Sequence, residues 1–255
     1  MSLFNLKNKG FLITGSSKGI GKSIAVHAAK EGAKVIISSR KIDVCISVAE
    51  EINSDIGSEV AFPVACNIAE EEQLSALVAK AKSLLGQIDV LVCNAATNPF
   101  MGSMRDIPSD AFDKIMHNNI KSNHVLTNLV LPEMIERKDG AIIIISSIGG
   151  LRGSSLLGAY NMSKAADIMM VKNIASEFGQ FNIRANAIAP GVIKTDFAKA
   201  LWQNPEILRT VTEKVPMQRI GEPDEIAGVA LMLASKAGAY INGQTIAVDG
   251  GYTII

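Results

Sequence analysis

Tyr160 and Lys164 stand four residues apart in a stretch, Gly158 to Gly179, that reads as one long helix. That spacing puts both side chains on one helical face. A free phenol titrates near pH ~10, and a lysine charge held beside it favours the phenolate and draws that value down. A tyrosine so placed can act as a general acid–base. Taken alone, the pair also fits two residues on a solvated helical face. A second feature upstream gives it a mechanism. The apolar run Ala141 to Ile145 ends in Ser146 and Ser147, and a parallel strand buried on both faces reads as such a run. Ligands of open α/β sheets gather at the carboxyl ends of strands. Ser147, thirteen residues before Tyr160, therefore stands where it can meet a carbonyl oxygen.

The elements that position these residues alternate strand and helix. Gly10–Thr14 reads as a strand and Gly19–Glu31 as a helix, with Ile20, Ile24, Ala25 and Ala28 on one stripe. Strands follow at Lys34–Ser38, Glu59–Ala65, Ile88–Cys93, Ala141–Ser147, Ile183–Ile188 and Gln244–Val248. Helices are expected at Ile42–Ile56, Glu70–Leu85, Asp110–Arg137 (one long helix), Gly158–Gly179 and Glu225–Ala234. This order predicts an α/β fold, a doubly wound parallel sheet flanked by helices. No linker, repeat or low-complexity tract divides the chain, so residues 1–255 are expected to form one domain.

The first strand-to-helix turn is Thr14-Gly15-Ser16-Ser17-Lys18-Gly19-Ile20-Gly21. Its glycines permit a tight turn, and their missing side chains let a pyrophosphate approach a helix N-terminus. A carboxylate at the end of the second strand would chelate the ribose hydroxyls of NAD. Here that position is Ser39, followed by Arg40, with Lys18 in the turn. No acid repels a 2′-phosphate and an arginine can grip one, so NADP(H) is favoured over NAD(H).

Composition narrows the classes. Lys+Arg and Asp+Glu number 25 each in 255 residues, which gives no global field for nucleic acid or an anionic membrane surface. No apolar run approaches the ~20 residues of a membrane span, and the first residues lack the pattern of a signal peptide. The cysteines Cys45, Cys66 and Cys93 lie far apart and are odd in number, which fits a reducing compartment. They and the scattered His27, His117 and His124 form no metal-ligand spacing.

Together these motifs resemble the short-chain dehydrogenase/reductase family across nearly the whole chain. The resemblance implies a Rossmann-like fold and hydride transfer between a nicotinamide and a carbonyl or alcohol. It places a catalytic tetrad on Asn119, Ser147, Tyr160 and Lys164. Ser147 is to hydrogen-bond the carbonyl oxygen, Tyr160 to deliver the proton, Lys164 to bias the tyrosine and hold the nicotinamide ribose, and Asn119 to anchor a water that relays protons. Cofactor contacts are implied at Gly15, Ser17, Lys18, Gly19, Ile20 and Gly21 of the turn, at Ser39 and Arg40, and at Asn67 and Ile68. Asn94 and Ala95 match a strand-end motif in which Ala96 replaces the usual glycine. Pro190, Gly191, Ile193 and Thr195 match the nicotinamide loop.

Val192, Phe197, Leu201 and Trp202 are expected in a lid over an apolar substrate pocket, with Met101, Leu156 and Leu157 as further walls; the alternative is that several of them pack a subunit interface. Residues 94–103 and 193–202 look like the NADP-dependent carbonyl reductase/retinol dehydrogenase branch, which implies hydrophobic ketones, dicarbonyls or retinoids as substrates. The alternative is a 3-oxoacyl-acyl-carrier-protein reductase, for which Lys138 is a suitable cation but Phe181 stands where an arginine is expected. A cofactor-binding regulatory protein without turnover would normally show a broken tetrad. The resemblance also implies a homotetramer, and the ending Thr253-Ile254-Ile255 carries no peroxisomal tripeptide, so a cytoplasmic location is expected.

Overall fold

The computed structural model describes residues 2–255. Seven strands form one sheet: β1 (Gly10–Thr14), β2 (Lys34–Ser39), β3 (Ala61–Ala65), β4 (Val90–Cys93), β5 (Gly140–Ile145), β6 (Ile183–Pro190) and β7 (Thr245–Val248). Their order is β3-β2-β1-β4-β5-β6-β7, and every pairing is parallel. The direction of winding reverses between β1 and β4. A crevice opens at such a point beyond the carboxyl ends of the strands, here past Thr14 and Cys93.

The helices are α1 (Gly19–Lys30), α2 (Ile42–Ile56), α3 (Glu71–Leu85), α4 (Ser109–Met116), α5 (Ser122–Arg137), α6 (Gly158–Phe178), α7 (Lys199–Trp202), α8 (Pro205–Thr212) and α9 (Pro223–Ala234). Strand side chains alternate between the two faces. Phe11, Ile13, Val35, Ile37, Ile143 and Ile145 pack under α1, α2 and α9, where they meet Ile24, Val48 and Ile226. Leu12, Ile36, Leu91, Ile142 and Ile144 pack under α3, α5 and α6, where they meet Leu77, Val130 and Val171. Both faces are thus buried, which is why the strands read as continuous apolar runs.

Two expectations require correction. The helix read as continuous over Asp110–Arg137 is interrupted by a π-helical turn, His117–Lys121, between α4 and α5. Such a turn widens the backbone and leaves carbonyls in need of donors. The Ser122 hydroxyl supplies one to Asn118 O at 2.6 Å, and Asn123 Nδ2 supplies one to Asn119 O at 2.7 Å. The stretch after Thr195 also contains α7 and α8, which the apolar pattern did not indicate. Asn204 caps α8, its Oδ1 accepting from Glu206 N at 2.8 Å, and Pro205 occupies the first helical turn.

Candidate active site

The glycine turn joins β1 to α1 as expected. Gly15 and Gly19 adopt φ of 65° and 56°, a left-handed backbone that a side chain rarely tolerates. A Cβ on Gly21 would lie 2.5 Å from both Gly15 O and Asn94 Nδ2. The turn is therefore a close-packed cradle whose form depends on absent side chains. Asn94, just past β4, braces it from beneath. Its Nδ2 donates to Thr14 O at 2.9 Å and Gly15 O at 3.0 Å, while Asn94 N and Ala95 N both donate to Thr14 Oγ1 at 3.1 Å. Asn94 thus spends its side chain on shaping the turn. Ser16, which the sequence reading passed over, is fully buried and ties β1 to β2: its hydroxyl donates to Ile13 O and accepts from Ser38 N, both at 2.8 Å.

The remaining cofactor-side residues line the same edge. Ser17 is half-buried, and Ile20 packs against the core. Ser39 ends β2 with its hydroxyl 3.2 Å from Cys45 Sγ. Arg40 is exposed and enters no ion pair among the described residues, whereas Lys18 pairs with Asp196 at 3.1 Å. Asn67 and Ile68 lie between β3 and α3, with Asn67 N donating to Gln73 Oε1 at 2.8 Å and Asn67 Oδ1 accepting from Ala69 N at 3.3 Å. Pro190 ends β6, and Gly191 N donates to Val248 O at 3.0 Å. A Cβ at Gly191 would sit 2.9 Å from the Asp249 backbone, so this approach also requires glycine. Ile193 is buried, pairing with Gly221. Thr195 faces the glycine turn, since a Cβ on Gly19 would come within 3.1 Å of its methyl group.

The four catalytic candidates converge at the carboxyl ends of β4 and β5. Ser147 caps a short 3₁₀ turn, Ile148–Gly150, its Oγ accepting from Gly149 N at 3.0 Å. This leaves the hydroxyl hydrogen free to donate. The turn lies tight on α6, because a Cβ on Gly150 would be 2.7 Å from the Lys164 backbone. Tyr160 and Lys164 share the α6 face as the spacing required, with Lys164 Nζ 5.8 Å from the Tyr160 ring centroid. The ammonium is buried and donates to Ile145 O and Asp167 Oδ2, each at 2.9 Å. Asn119 is fully buried in the π-helical turn. Its side chain is spent on its neighbours: Nδ2 donates to Thr97 O and Ser163 Oγ at 3.0 Å, and Oδ1 accepts from Thr97 N at 2.8 Å.

The electrostatics differ from the expectation in one respect. Burial pushes the Tyr160 phenol above its ordinary value; Lys164 and the Ser147 hydroxyl pull it down, Asp167 pushes it up again, and the net direction is upward. Lysine thus acts with the expected sign but does not win. For Lys164 itself, burial lowers the ammonium's value, but the Asp167 carboxylate and the Tyr160 phenol outweigh it and hold it above the usual lysine range. The sequence reading missed Asp167, Asn123, Ser163 and Thr97, which hold the tetrad together. Asp167 was open to notice, as an acid three residues beyond Lys164 on the same face.

Apolar residues flank Tyr160. Phe100, Met104, Ile107, Leu156 and Leu157 line a cleft against it. The Phe197 ring lies 6.1 Å from the Tyr160 ring at a 37° tilt, while the residue is 60% exposed. Trp202 Nε1 donates to Thr195 O at 2.9 Å, which fastens α7 to the loop below it. Val192 and Leu201 are half-buried in this segment, and Met101 is exposed beyond the cleft.

Comparison with known proteins agrees with this geometry. A protein-family model described as enoyl-(acyl carrier protein) reductase matches residues 15–253. The chain is 40% identical over 249 residues to dehydrogenase/reductase SDR family member 4 of Oryctolagus cuniculus, covering 96% of this chain and 94% of the relative. Among solved structures it is similar to a 7α-hydroxysteroid dehydrogenase complexed with NADH and 7-oxo glycochenodeoxycholic acid, at TM-score 0.91 and 38% identity over 98% and 97% of the two chains. It is also similar to a gluconate 5-dehydrogenase from Burkholderia cenocepacia J2315 in complex with NADP and tartrate, at TM-score 0.94 and 30% identity over 99% and 98%.

Proposed function

Since the chain belongs to the short-chain dehydrogenase/reductase family, we propose that it is an NADP(H)-dependent oxidoreductase acting on a hydrophobic ketone, dicarbonyl or retinoid-like compound. The observation that carries this reading is the position of Tyr160, between the buried Lys164 ammonium and an apolar cleft, with the Phe197 ring 6.1 Å from its own. The cradle of Gly15, Gly19 and Gly21, which a Cβ would fill, fits a dinucleotide pyrophosphate. The nicotinamide, when bound, supplies or accepts the hydride.

The chain's own groups handle the oxygen. Ser147, with Gly149 N–H already on its lone pair, donates its hydroxyl hydrogen to the substrate oxygen. Tyr160 gives that oxygen a proton as the carbonyl carbon is reduced, and takes it back in oxidation. An ammonium has three donors; Lys164 uses two on Ile145 O and Asp167, which leaves one for a ribose hydroxyl. Asn119 O accepts Asn123 Nδ2 on one lone pair, and the other serves a relay water. Ile193 and Thr195 would hold the carboxamide side of the nicotinamide, and Asn67 and Ile68 would border the adenine. Arg40, exposed and in no ion pair among the described residues, supports the choice of NADP(H).

The assembly that fits this surface is a homotetramer. Met162 and Met169 on α6 and Tyr240, Ile254 and Ile255 near the C-terminal end are exposed apolar residues available to subunit contacts. Three buried, unpaired cysteines fit a reducing, cytoplasmic setting. No helix among the described residues is long and apolar enough to cross a membrane. The carrier-protein alternative gains nothing from the fold, since Phe181 packs against the core.

The test is loss of reduced-nicotinamide absorbance with an aromatic α-dicarbonyl, an aromatic ketone, retinal and an acetoacetyl thioester, each with NADPH and NADH. Turnover of the first three with NADPH is expected. Turnover confined to the thioester, or a preference for NADH, would overturn the reading.

A further inference from the structure

Helix α6 carries an acid deep in the fold. The Asp167 side chain is 0% exposed, and that of its ion-pair partner Lys164 only 2%. Desolvating two charges costs several kcal/mol per ion unless the pair is well bonded, and here it is. Asp167 Oδ2 accepts from Lys164 Nζ at 2.9 Å, and Oδ1 accepts from Asn123 Nδ2 at 3.0 Å. The same Asn123 amide nitrogen donates to Asn119 O at 2.7 Å. A single chain of bonds thus runs from Lys164 through Asp167 and Asn123 to the backbone of Asn119, all inside the molecule.

We propose that Asp167 is a positioning residue for proton transfer: it fixes the Lys164 ammonium beneath Tyr160 and cancels part of that charge at the phenol. The proposal rests on the reading of Tyr160 and Lys164 as the acid–base pair. The groups facing Asp167 and Lys164 are few. On α6 itself there is Tyr160, and at the end of β4 the Cys93 thiol, which burial first and Asp167 second push well above the ordinary thiol range. From β5 comes the Ile145 carbonyl, and from the π-helical turn and α5 come the neutral amides of Asn119 and Asn123. Among the described residues no other charged side chain acts on either partner. A lone ammonium at this site would stabilise the phenolate strongly. With a carboxylate bonded to it, the field at Tyr160 is the difference of two opposed charges, and Asp167 raises the phenol's value where Lys164 lowers it.

The test reads Tyr160 directly. Tyrosinate absorbance is recorded against pH for the wild type and for Asp167→Asn, each with its Tyr160→Phe counterpart subtracted, which removes Tyr240 and Tyr252. Asparagine keeps a hydrogen-bonding oxygen near Lys164 and removes the charge, so the Tyr160 midpoint should fall by about one pH unit or more. An unchanged or raised midpoint overturns the proposal, whatever happens to the melting temperature. Should Asp167→Asn not fold, Asp167→Ser, which also removes the charge, is titrated in the same way: a lowered Tyr160 midpoint is expected, and an unchanged or raised one overturns the proposal. The readout needs no turnover. A shifted midpoint in a protein that turns over no carbonyl would sink the oxidoreductase reading and with it the proton-transfer role, leaving only the electrostatic link of Asp167 to Tyr160. Turnover without a shifted midpoint would sink the proposal and leave the oxidoreductase reading standing.

Discussion

Replacing Arg40 by alanine separates the two cofactors, and the structure sets the size of the effect. Arg40 follows Ser39 at the carboxyl edge of β2, exposed and without an ion-pair partner among the described residues. The other cation of the turn, Lys18, lies 3.1 Å from Asp196, so on the proposed NADP(H) reading Arg40 should carry most of the discrimination. At ~4 Å in a water-like medium one pair of unit charges contributes about 1 kcal/mol, and a phosphate monoester carries a charge of about −1.5 to −2. Charge-assisted hydrogen bonds from a guanidinium are worth roughly 1.5–3 kcal/mol. A loss of about 2 kcal/mol follows, which is close to a thirty-fold rise in KM and Kd for NADPH. NADH has no 2′-phosphate, and its constants should stay within about three-fold. Because the pair is exposed, the NADPH effect should shrink as the Debye length falls toward ~3 Å at 1 M salt. Cofactor fluorescence titration at low and high salt, with initial rates on one accepted carbonyl, gives both quantities. Equal weakening of NADPH and NADH would refute the assignment of Arg40 to the phosphate.

Three further outcomes are expected. Tyr160→Phe should lower kcat by about 100-fold or more while NADPH fluorescence titration shows near-unchanged binding; retained turnover would remove the phenol from proton transfer. Gly21→Ala places a Cβ 2.5 Å from Gly15 O and from the Asn94 brace, an overpacking that costs about 1–3 kcal/mol. Both the melting temperature and NADPH affinity should drop, and a variant that melts and binds like the wild type would mean the turn is loose. Phe197→Ala removes the ring 6.1 Å from Tyr160 and should raise KM for an aromatic ketone several-fold more than for acetone; equal changes would take Phe197 out of the substrate cleft.

How much of this was legible in sequence depends on how far each cause reaches along the chain. The sheet was open to reading because strands such as Ile142 to Ile145 are covered on both faces, and continuous apolar runs are the local mark of that burial. The Tyr160–Lys164 pairing was legible because helix geometry alone puts residues four apart on one face. Helix α8 carried a local signal, Asn204 followed by Pro205, that an apolar pattern overlooks. The π-helical turn carried no comparable mark. It is held by Asn119 bonding to Thr97 and Ser163, at separations of 22 and 44 residues. The phenol shows the same limit in its energetics. The sign of lysine's effect on Tyr160 follows from charge, but the balance is set by burial and by Asp167. Asp167 in turn keeps its place through Asn123, 44 residues away. A buried acid in a helix can be seen in the sequence only as an acid; its burial comes from elements distant along the chain, and that burial gives its charge a grip on the phenol.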